Sequence, residues 1–377
     1  MASLVFVLGT IFACAQAKEE KKETVPQFEM VRSIKHTPVK DQAQSGTCWS
    51  FGAASFVEAE LLRMGKEEFD LSEMFVVKQV YAKKGTHYVR YRGKTNFGEG
   101  SLAWDFFQAL SEQGIVPEVV FSGKNIGEER HDHSEMASLL TAMLKALEGR
   151  RKLTPRWKEA YEAVLTAYLG KAPEEFEYQG KKYTPRSFFE TLGFSPSDYV
   201  ELTSFTHHPF YTRIPLEIPD NWARHSHYYN LPLDEMEQVL EYALQNGYSV
   251  LWDGDVSEKG FHNKEGYAVV PVDKKEEEKE EKKSEKKEEL VEKEISQEMR
   301  QETFDNYTTS DDHLMHIVGQ ALHPNKTPFY QAKNSWGVKN GQKGYIFLSR
   351  AYVRLKTISI AVHKDAIPKA IKEKFGM

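Results

Sequence analysis

One cysteine is placed to act as a nucleophile. Cys48 opens the run Cys48-Trp49-Ser50-Phe51, after a turn marked by Ser45-Gly46 and just before a helical pattern from Gly52 to Met64. In that pattern Phe56, Val57, Leu61 and Leu62 fall on one side and Glu58, Glu60 and Arg63 mostly on the other. The thiol is therefore expected at a helix N-terminus, where unpaired N–H groups and the positive end of the helix dipole favour the thiolate. Gln42 lies upstream across the turn, and its side-chain amide is expected to donate to an oxyanion forming near the sulfur. The thiol also needs a base. His313 and His316 share the strand-like run Asp311 to Gly319 and are an odd number of residues apart, so they face opposite sides of a strand. We assign the base to His313. Asn334 follows a second strand-like run, Phe329 to Ala332, and an asparagine there can accept the other ring N–H and fix the imidazole's tautomer. Each residue alone has a plainer explanation: a lone Cys usually packs as a small hydrophobe and Asn is a common turn residue. Together they describe acyl transfer through a thioester, chemistry that requires neither metal nor cofactor.

Ser45-Gly46-Thr47-Cys48-Trp49 resembles the C-G-[SA]-C-[WY] signature of the papain-like cysteine peptidases. It keeps Gly, Cys and Trp, has Thr47 at the Ser/Ala position, and has Ser45 where papains carry a disulfide cysteine. His313 ahead of Gly319, then Asn334-Ser335-Trp336-Gly337, matches the rest of the pattern. Lacking the disulfide cysteine, the chain is most similar to the bleomycin hydrolase and aminopeptidase C branch. The resemblance implies an α+β papain-like fold, with a helical lobe carrying Cys48 and a β-barrel-like lobe carrying His313 and Asn334. It implies peptide substrates, removal of N-terminal residues and a homo-hexamer, and it gives Trp336 the task of shielding the His–Asn bond from water. It also implies that the loop Phe97-Gly98-Glu99-Gly100-Ser101 pairs with substrate backbone through Gly98 and Gly100, although Glu99 interrupts the family's usual Gly-Gly pair. The rival functions are a papain-like endopeptidase and a non-catalytic binding protein on the same fold. The complete set Gln42, Cys48, His313 and Asn334 favours an enzyme.

These residues must be brought together across a long chain. Cys48 and His313 lie much further apart in sequence than the roughly 130–150 residues usual in the papain group. Residues 39–127 supply the helical lobe, with further helices expected near 71–83, capped by Asp70 or Ser72, and near 102–113, stopped by Gly114. Residues 128–200 carry amphipathic patterns from Met136 to Leu147 and Trp157 to Leu169, and a short one around Phe188, Phe189 and Leu192; they are read as a helical insertion. Residues 201–273 and 295–365 form the β-rich lobe, with a helix at 232–245 and strands at Val250-Leu251-Trp252, Tyr267 to Val270, Gly344 to Phe347 and Thr357 to Val362. Asp253 follows the first of these strands, as a candidate to meet a substrate amine or as a turn residue. Residues 274–294 are almost entirely Lys and Glu and cannot bury a core. In the tail, 366–377, Ile367, Ile371 and Phe375 recur at helical spacing, so it forms either a short surface helix or an arm that enters the cleft.

The 377 residues are 40% hydrophobic, ample for a core, and the net charge of −6 argues against nucleic acid as the main partner. Residues 3–13 are apolar and Ala15-Gln16-Ala17 fits a cleavage site, so 1–17 are read as a signal peptide and 18–38 as a polar lead-in. Secretion or export to the periplasm is expected, ahead of lipoprotein anchoring, and no other stretch suits an integral membrane span. Of the two cysteines, Cys14 leaves with the leader, so no disulfide is possible in the remainder.

Overall fold

The computed structural model describes residues 25–272 and 290–377. The expected signal peptide, the start of the lead-in and most of the charged run lie outside the described residues. The chain opens with β1 (Glu29–Ser33), followed by α1 (Cys48–Arg63), α2 (Glu73–Arg90) and α3 (Ala103–Gln113). Next come α4 (Ser134–Lys145), α5 (Arg156–Leu169), a hairpin of β2 (Phe176–Tyr178) and β3 (Lys181–Tyr183), and α6 (Pro185–Leu192). Then follow β4 (Tyr199–Thr203), β5 (Thr212–Ile214), β6 (Tyr228–Asn230), α7 (Leu233–Gln245), β7 (Val250–Gly254), β8 (Phe261–His262) and β9 (Tyr267–Ala268). The last part holds α8 (Gln297–Asp305), β10 (His313–Leu322), β11 (Pro328–Lys333), β12 (Tyr345–Ser349), α9 (Arg350–Lys356), β13 (Thr357–His363) and α10 (Lys369–Phe375).

One mixed sheet runs β5-β6-β4-β13-β7-β10-β11-β12-β9-β8, with β1 added to the far half of β10. β10 is its spine. Its first residues pair with β7, placing His313 opposite Gly254 and Leu314 opposite Asp253; its later residues pair with β11 and β1. Leu202, Val250, Trp252, Met315, Ile317, Ala332, Ile346 and Ile360 form the sheet's core with α7 and α9. A second core gathers α1 to α6. The helices of the 128–200 region thus share their apolar contacts with α1–α3: Met136, Leu140, Tyr161, Leu165 and Phe188 belong to the same cluster as Trp49 and Phe56. Contact between α2 and α5 requires Gly85, since a Cβ there would sit 2.5 Å from the Tyr161 ring, whose hydroxyl donates to Tyr81 O at 3.0 Å.

Local signals explain several boundaries. Ser72 caps α2, its Oγ accepting from Phe75 N at 3.0 Å, and α3 stops at Gly114, whose φ of +78° a side chain would resist. α2 continues to Arg90, past the expected end near 83, because Tyr88 packs onto the helical core. The β2–β3 hairpin was not expected within the helical insertion. The larger correction concerns α1. Glu58 and Glu60, expected on a solvent face, are each 1% exposed. Glu60 accepts from Tyr199 and Arg63, and Glu58 from Thr37 and the Leu71 amide. Buried partners, not water, satisfy them, so α1 runs through the interior between α2, α3 and β10.

Of the charged run, the described end is anchored: Glu292 accepts from Val270 N (2.8 Å) and Ser349 Oγ (2.5 Å). The tail forms the helical alternative. Ile371 is buried, Phe375 packs against Tyr211 and Tyr229, and Lys374 pairs with Glu235 at 2.5 Å. No described helix is long and apolar enough to cross a membrane.

Candidate active site

The turn before α1 is held from several directions. Ser45 Oγ donates to Gln42 O (2.7 Å) and lies 2.6 Å from Thr47 Oγ1. Gly46 N donates to Glu99 Oε2 (2.9 Å) and Trp49 Nε1 to Glu99 O (3.0 Å). Glu99, the residue that interrupts the glycine pair, therefore fastens the glycine loop to the start of α1. Gly46 permits the approach, since a Cβ there would lie 2.7 Å from Glu99 Cβ. Gly98 faces open space, whereas any Cβ on Gly100 would run into the Asp220 carboxylate. The loop is shaped from beneath by Lys84 on α2, which is 1% exposed and donates to Gly98 O (2.9 Å) and to Gly100 O.

The sheet supplies the rest. His313 Nε2 lies 2.7 Å from Asn334 Oδ1, and Ser335 N donates to the same oxygen at 2.7 Å. That oxygen only accepts, so Nε2 carries the proton and Nδ1 keeps its lone pair. The Trp336 ring covers the pair, 4.5 Å between centroids from His313. The backbone amide of Leu314, the residue next to His313, favours the charged form of the Cys48 thiol. Cys48, His313 and Asn334 are thus assembled from α1, the start of β10 and the end of β11. Gln42 joins both sides: Nε2 donates to Ser45 O (2.6 Å), Oε1 accepts from Ser335 Oγ (2.6 Å), and its backbone N donates to Ser335 O (2.8 Å). One of its two amide protons is left for another acceptor. His316 is a packing residue, with Nδ1 2.8 Å from Ser55 Oγ and its ring edge-on to Phe56.

Burial pushes the Cys48 thiol up from 9.0 to about 12; the Leu314 amide opposes this, and Asp253, Asp311 and Asp220 reinforce it. At about 1.4 kcal/mol per unit this is about 4 kcal/mol, more than the roughly 2 kcal/mol a helix N-terminus returns at best. The expected preference for thiolate is therefore reversed, and the proton rests on sulfur. Burial also lowers His313 to about 4, against the Asn334 hydrogen bond, so the imidazole is neutral.

Asp253 lies inside β7, opposite Leu314 and Ser359, and is 3% exposed, which excludes the turn alternative. Its carboxyl bonds that of Asp311, and burial together with Asp311 holds it well above the usual range. Asp311, Asp220, Lys84 and Glu99 were not anticipated. Lys84 had a signal, a lysine on the apolar stripe of Val77, Val80, Tyr81 and Tyr88; Asp220 had none. For metal, His207, His208 and Glu217 bring ligand atoms within 4.8 Å of one another. However, Gln301 Nε2 donates to His207 Nδ1 (3.0 Å), with Gln301 Oε1 fixed by Thr206 N (2.6 Å). His207 Nε2 is then an N–H facing Glu217, the wrong tautomer for ligation.

Residues 103–377 match the model of the Peptidase C1-like family, and residues 25–145 that of the papain family cysteine proteases. The chain belongs to the Peptidase C1-like family. It is 22% identical to aminopeptidase C of Lactobacillus helveticus over 97% of its own length and 87% of that protein's. It is 24% identical to aminopeptidase C of Streptococcus thermophilus (92% and 85%) and 25% identical to aminopeptidase G of Lactobacillus delbrueckii subsp. lactis (89% and 83%). The crystal structure of PepW from Lactobacillus rhamnosis superposes with a TM-score of 0.72 at 20% identity, over 92% of this chain and 84% of that one, and so shares the fold.

Proposed function

We propose that this cysteine peptidase is an aminopeptidase, with Cys48 as nucleophile, His313 as acid and base, Asn334 as its orienting partner and Gln42 as an oxyanion donor. The observation that carries the proposal is the His313 imidazole tied through Nε2 to Asn334 at 2.7 Å, with the amide of the next residue, Leu314, bearing on the Cys48 thiol. With thiol and imidazole both neutral at rest, proton transfer to His313 Nδ1 accompanies attack of sulfur on the substrate carbonyl. The tetrahedral oxyanion takes the remaining Gln42 amide proton and the backbone N–H of Cys48, which has no partner inside the helix. His313 then protonates the leaving amine, and a thioester remains. Water, deprotonated by the same imidazole, releases the acid. The glycine loop supports an extended substrate through its N–H groups, since the carbonyls of Gly98 and Gly100 already accept from Lys84.

The names of the relatives support exopeptidase action. The test compares aminoacyl anilides with their N-acetylated forms: the free-amine substrate is expected to be cleaved preferentially, and equal cleavage of both overturns the exopeptidase half. The apolar stretch 3–13 ahead of Ala15-Gln16-Ala17 supports export with cleavage after Ala17, which N-terminal sequencing of the released protein checks. Hexameric assembly is expected from the resemblance alone, and sedimentation equilibrium decides it.

A further inference from the structure

We propose that Asp253, Asp311 and Asp220 form the site that binds the substrate's free α-ammonium group beside Cys48. This rests on the aminopeptidase function above and names the group that selects the amine, because residues 366–377 pack against Tyr211, Tyr229 and Glu235 instead.

The three carboxyls converge from separate parts of the chain. Asp253 is on β7, in register with the Leu314 whose amide bears on the thiol. Asp311 leads into β10 just ahead of His313, and Asp220 lies between β5 and β6 with its carboxylate against Gly100. All three act on the sulfur of Cys48. Asp253 forms the floor at 3% exposure, while Asp311 and Asp220 are half-buried and open the site outward. Among the described residues none of the three has an ion-pair partner; Asp220 accepts only from Asn96 Nδ2 (3.0 Å), and Asp253 lies 3.4 Å from Ser359 Oγ. The other charged groups that bear on the cluster are Asp312 before β10, Asp105 on α3, Glu201 on β4 and Lys84 on α2, and Lys84 donates to the glycine-loop carbonyls.

Tyr228 gives an independent indication. It is fully buried on β6, its hydroxyl has no hydrogen-bond partner, and Glu201, Asp253, Asp105 and Asp311 act on it. A buried hydroxyl left without a partner is costly unless a ligand satisfies it. An ammonium has three protons to donate and no lone pair, which suits carboxylates together with one phenolic oxygen. A bound cation also screens the carboxylates that oppose thiolate formation at Cys48. The free amine of a correct substrate therefore eases ionisation of the nucleophile, and a blocked amine leaves the opposition in place.

The test uses the full chain and the isosteric variants Asp253→Asn and Asp311→Asn, with Tyr228→Phe as a third. The readout is the ratio of kcat/KM for a free-amine aminoacyl anilide over its N-acetyl form. Loss of one charge-assisted contact predicts a fall in that ratio of about 10- to 100-fold for each Asn variant, and a few-fold for Tyr228→Phe. Asp311→Glu should restore part of it. Asn variants that keep the wild-type ratio overturn the proposal and leave the aminopeptidase function standing. A turnover-free measurement separates the two failures: alkylation of Cys48 by iodoacetamide in the presence of alaninamide or N-acetylalaninamide. Faster alkylation with alaninamide alone, lost in Asp253→Asn, supports the site even if the wild type proves no exopeptidase. An equal effect of both amides, or the same acceleration by calcium chloride in place of the amine, overturns it.

Discussion

Two groups of buried carboxylates flank α1, and the fold treats them differently. Around Glu58 and Glu73 the acids that Lys40 reaches each have a donor, whereas Glu118, on which Glu73 acts, keeps a buried Oε2 with no partner. Lys40 Nζ lies 2.7 Å from Glu73, 3.5 Å from Glu58 and 2.5 Å from Asp70; Thr37 Oγ1 and the Leu71 amide complete Glu58 at 2.5 and 2.9 Å, and Lys333 donates to Thr37 at 3.0 Å. Around Asp253 and Asp311 the acids face one another, the nearby lysine is committed elsewhere and a tyrosine hydroxyl goes unused. The Lys40 group is paired and structural. The Asp253 group has no such lysine, and it is the one beside the thiol. In the proposed site the partner these carboxylates lack is the substrate's amine.

The contrast has meaning only if Cys48 is the nucleophile. Cys48→Ala should abolish hydrolysis and His313→Ala should cost several orders of magnitude, as loss of a triad member does; turnover by purified Cys48→Ala protein would leave the Asp253 group beside no reaction. Next in size is Gln42→Ala, expected to lower kcat by about 10²–10³-fold with KM little changed, as for loss of one oxyanion donor. An unchanged kcat would mean that both amide protons are structural. The Lys40 group is tested by stability. Lys40→Met strands Glu58 and Glu73 and should cost roughly 2–3 kcal/mol in urea unfolding, below the 3–5 kcal/mol of a fully buried pair because the ammonium is partly exposed. A cost near zero would erase the difference between the two groups.

The smallest effect concerns pH. Burial first, and the other acids second, raise Asp311 from 3.8 to about 7. An acid whose folded pKa is raised holds its proton more tightly in the native state, so its contribution to stability falls as pH rises from about 4 to about 7. Asp311→Asn removes that fall. Thermal unfolding should show the variant gaining on the wild type across this window, and parallel curves would show that Asp311 ionises freely. Glu73 is also raised to about 7 by burial, so the difference between the two proteins carries the result.

The proposed catalytic set could be picked out in the sequence because acyl transfer admits few residue types: a thiol at a helix start, one histidine opening a strand, an asparagine in Asn-Ser-Trp-Gly. Element types followed from periodicity, and the end of α3 from Gly114. Periodicity cannot distinguish water from a buried partner, so Glu58 and Glu60 were assigned to the wrong environment. The ionisation of Cys48 was misjudged for a related reason. A helix terminus is visible locally, whereas burial and three carboxylates from distant segments are tertiary facts. Asp220 shows the limit most plainly, because nothing around it in sequence foretells that it packs on Gly100.

The burial of the Cys48 sulfur also governs how the protein ages. Oxidants attack thiolate in preference to thiol, and a thiol held near 12 and 9% exposed offers peroxide little to attack. The idle protein is therefore chemically quiet. A ligand that brings a positive charge to the neighbouring carboxylates shifts the sulfur toward its reactive form. Damage by peroxide should then accumulate with work done, not with time stored: each round of occupancy exposes the sulfur briefly, and the lifetime of a preparation is counted in turnovers.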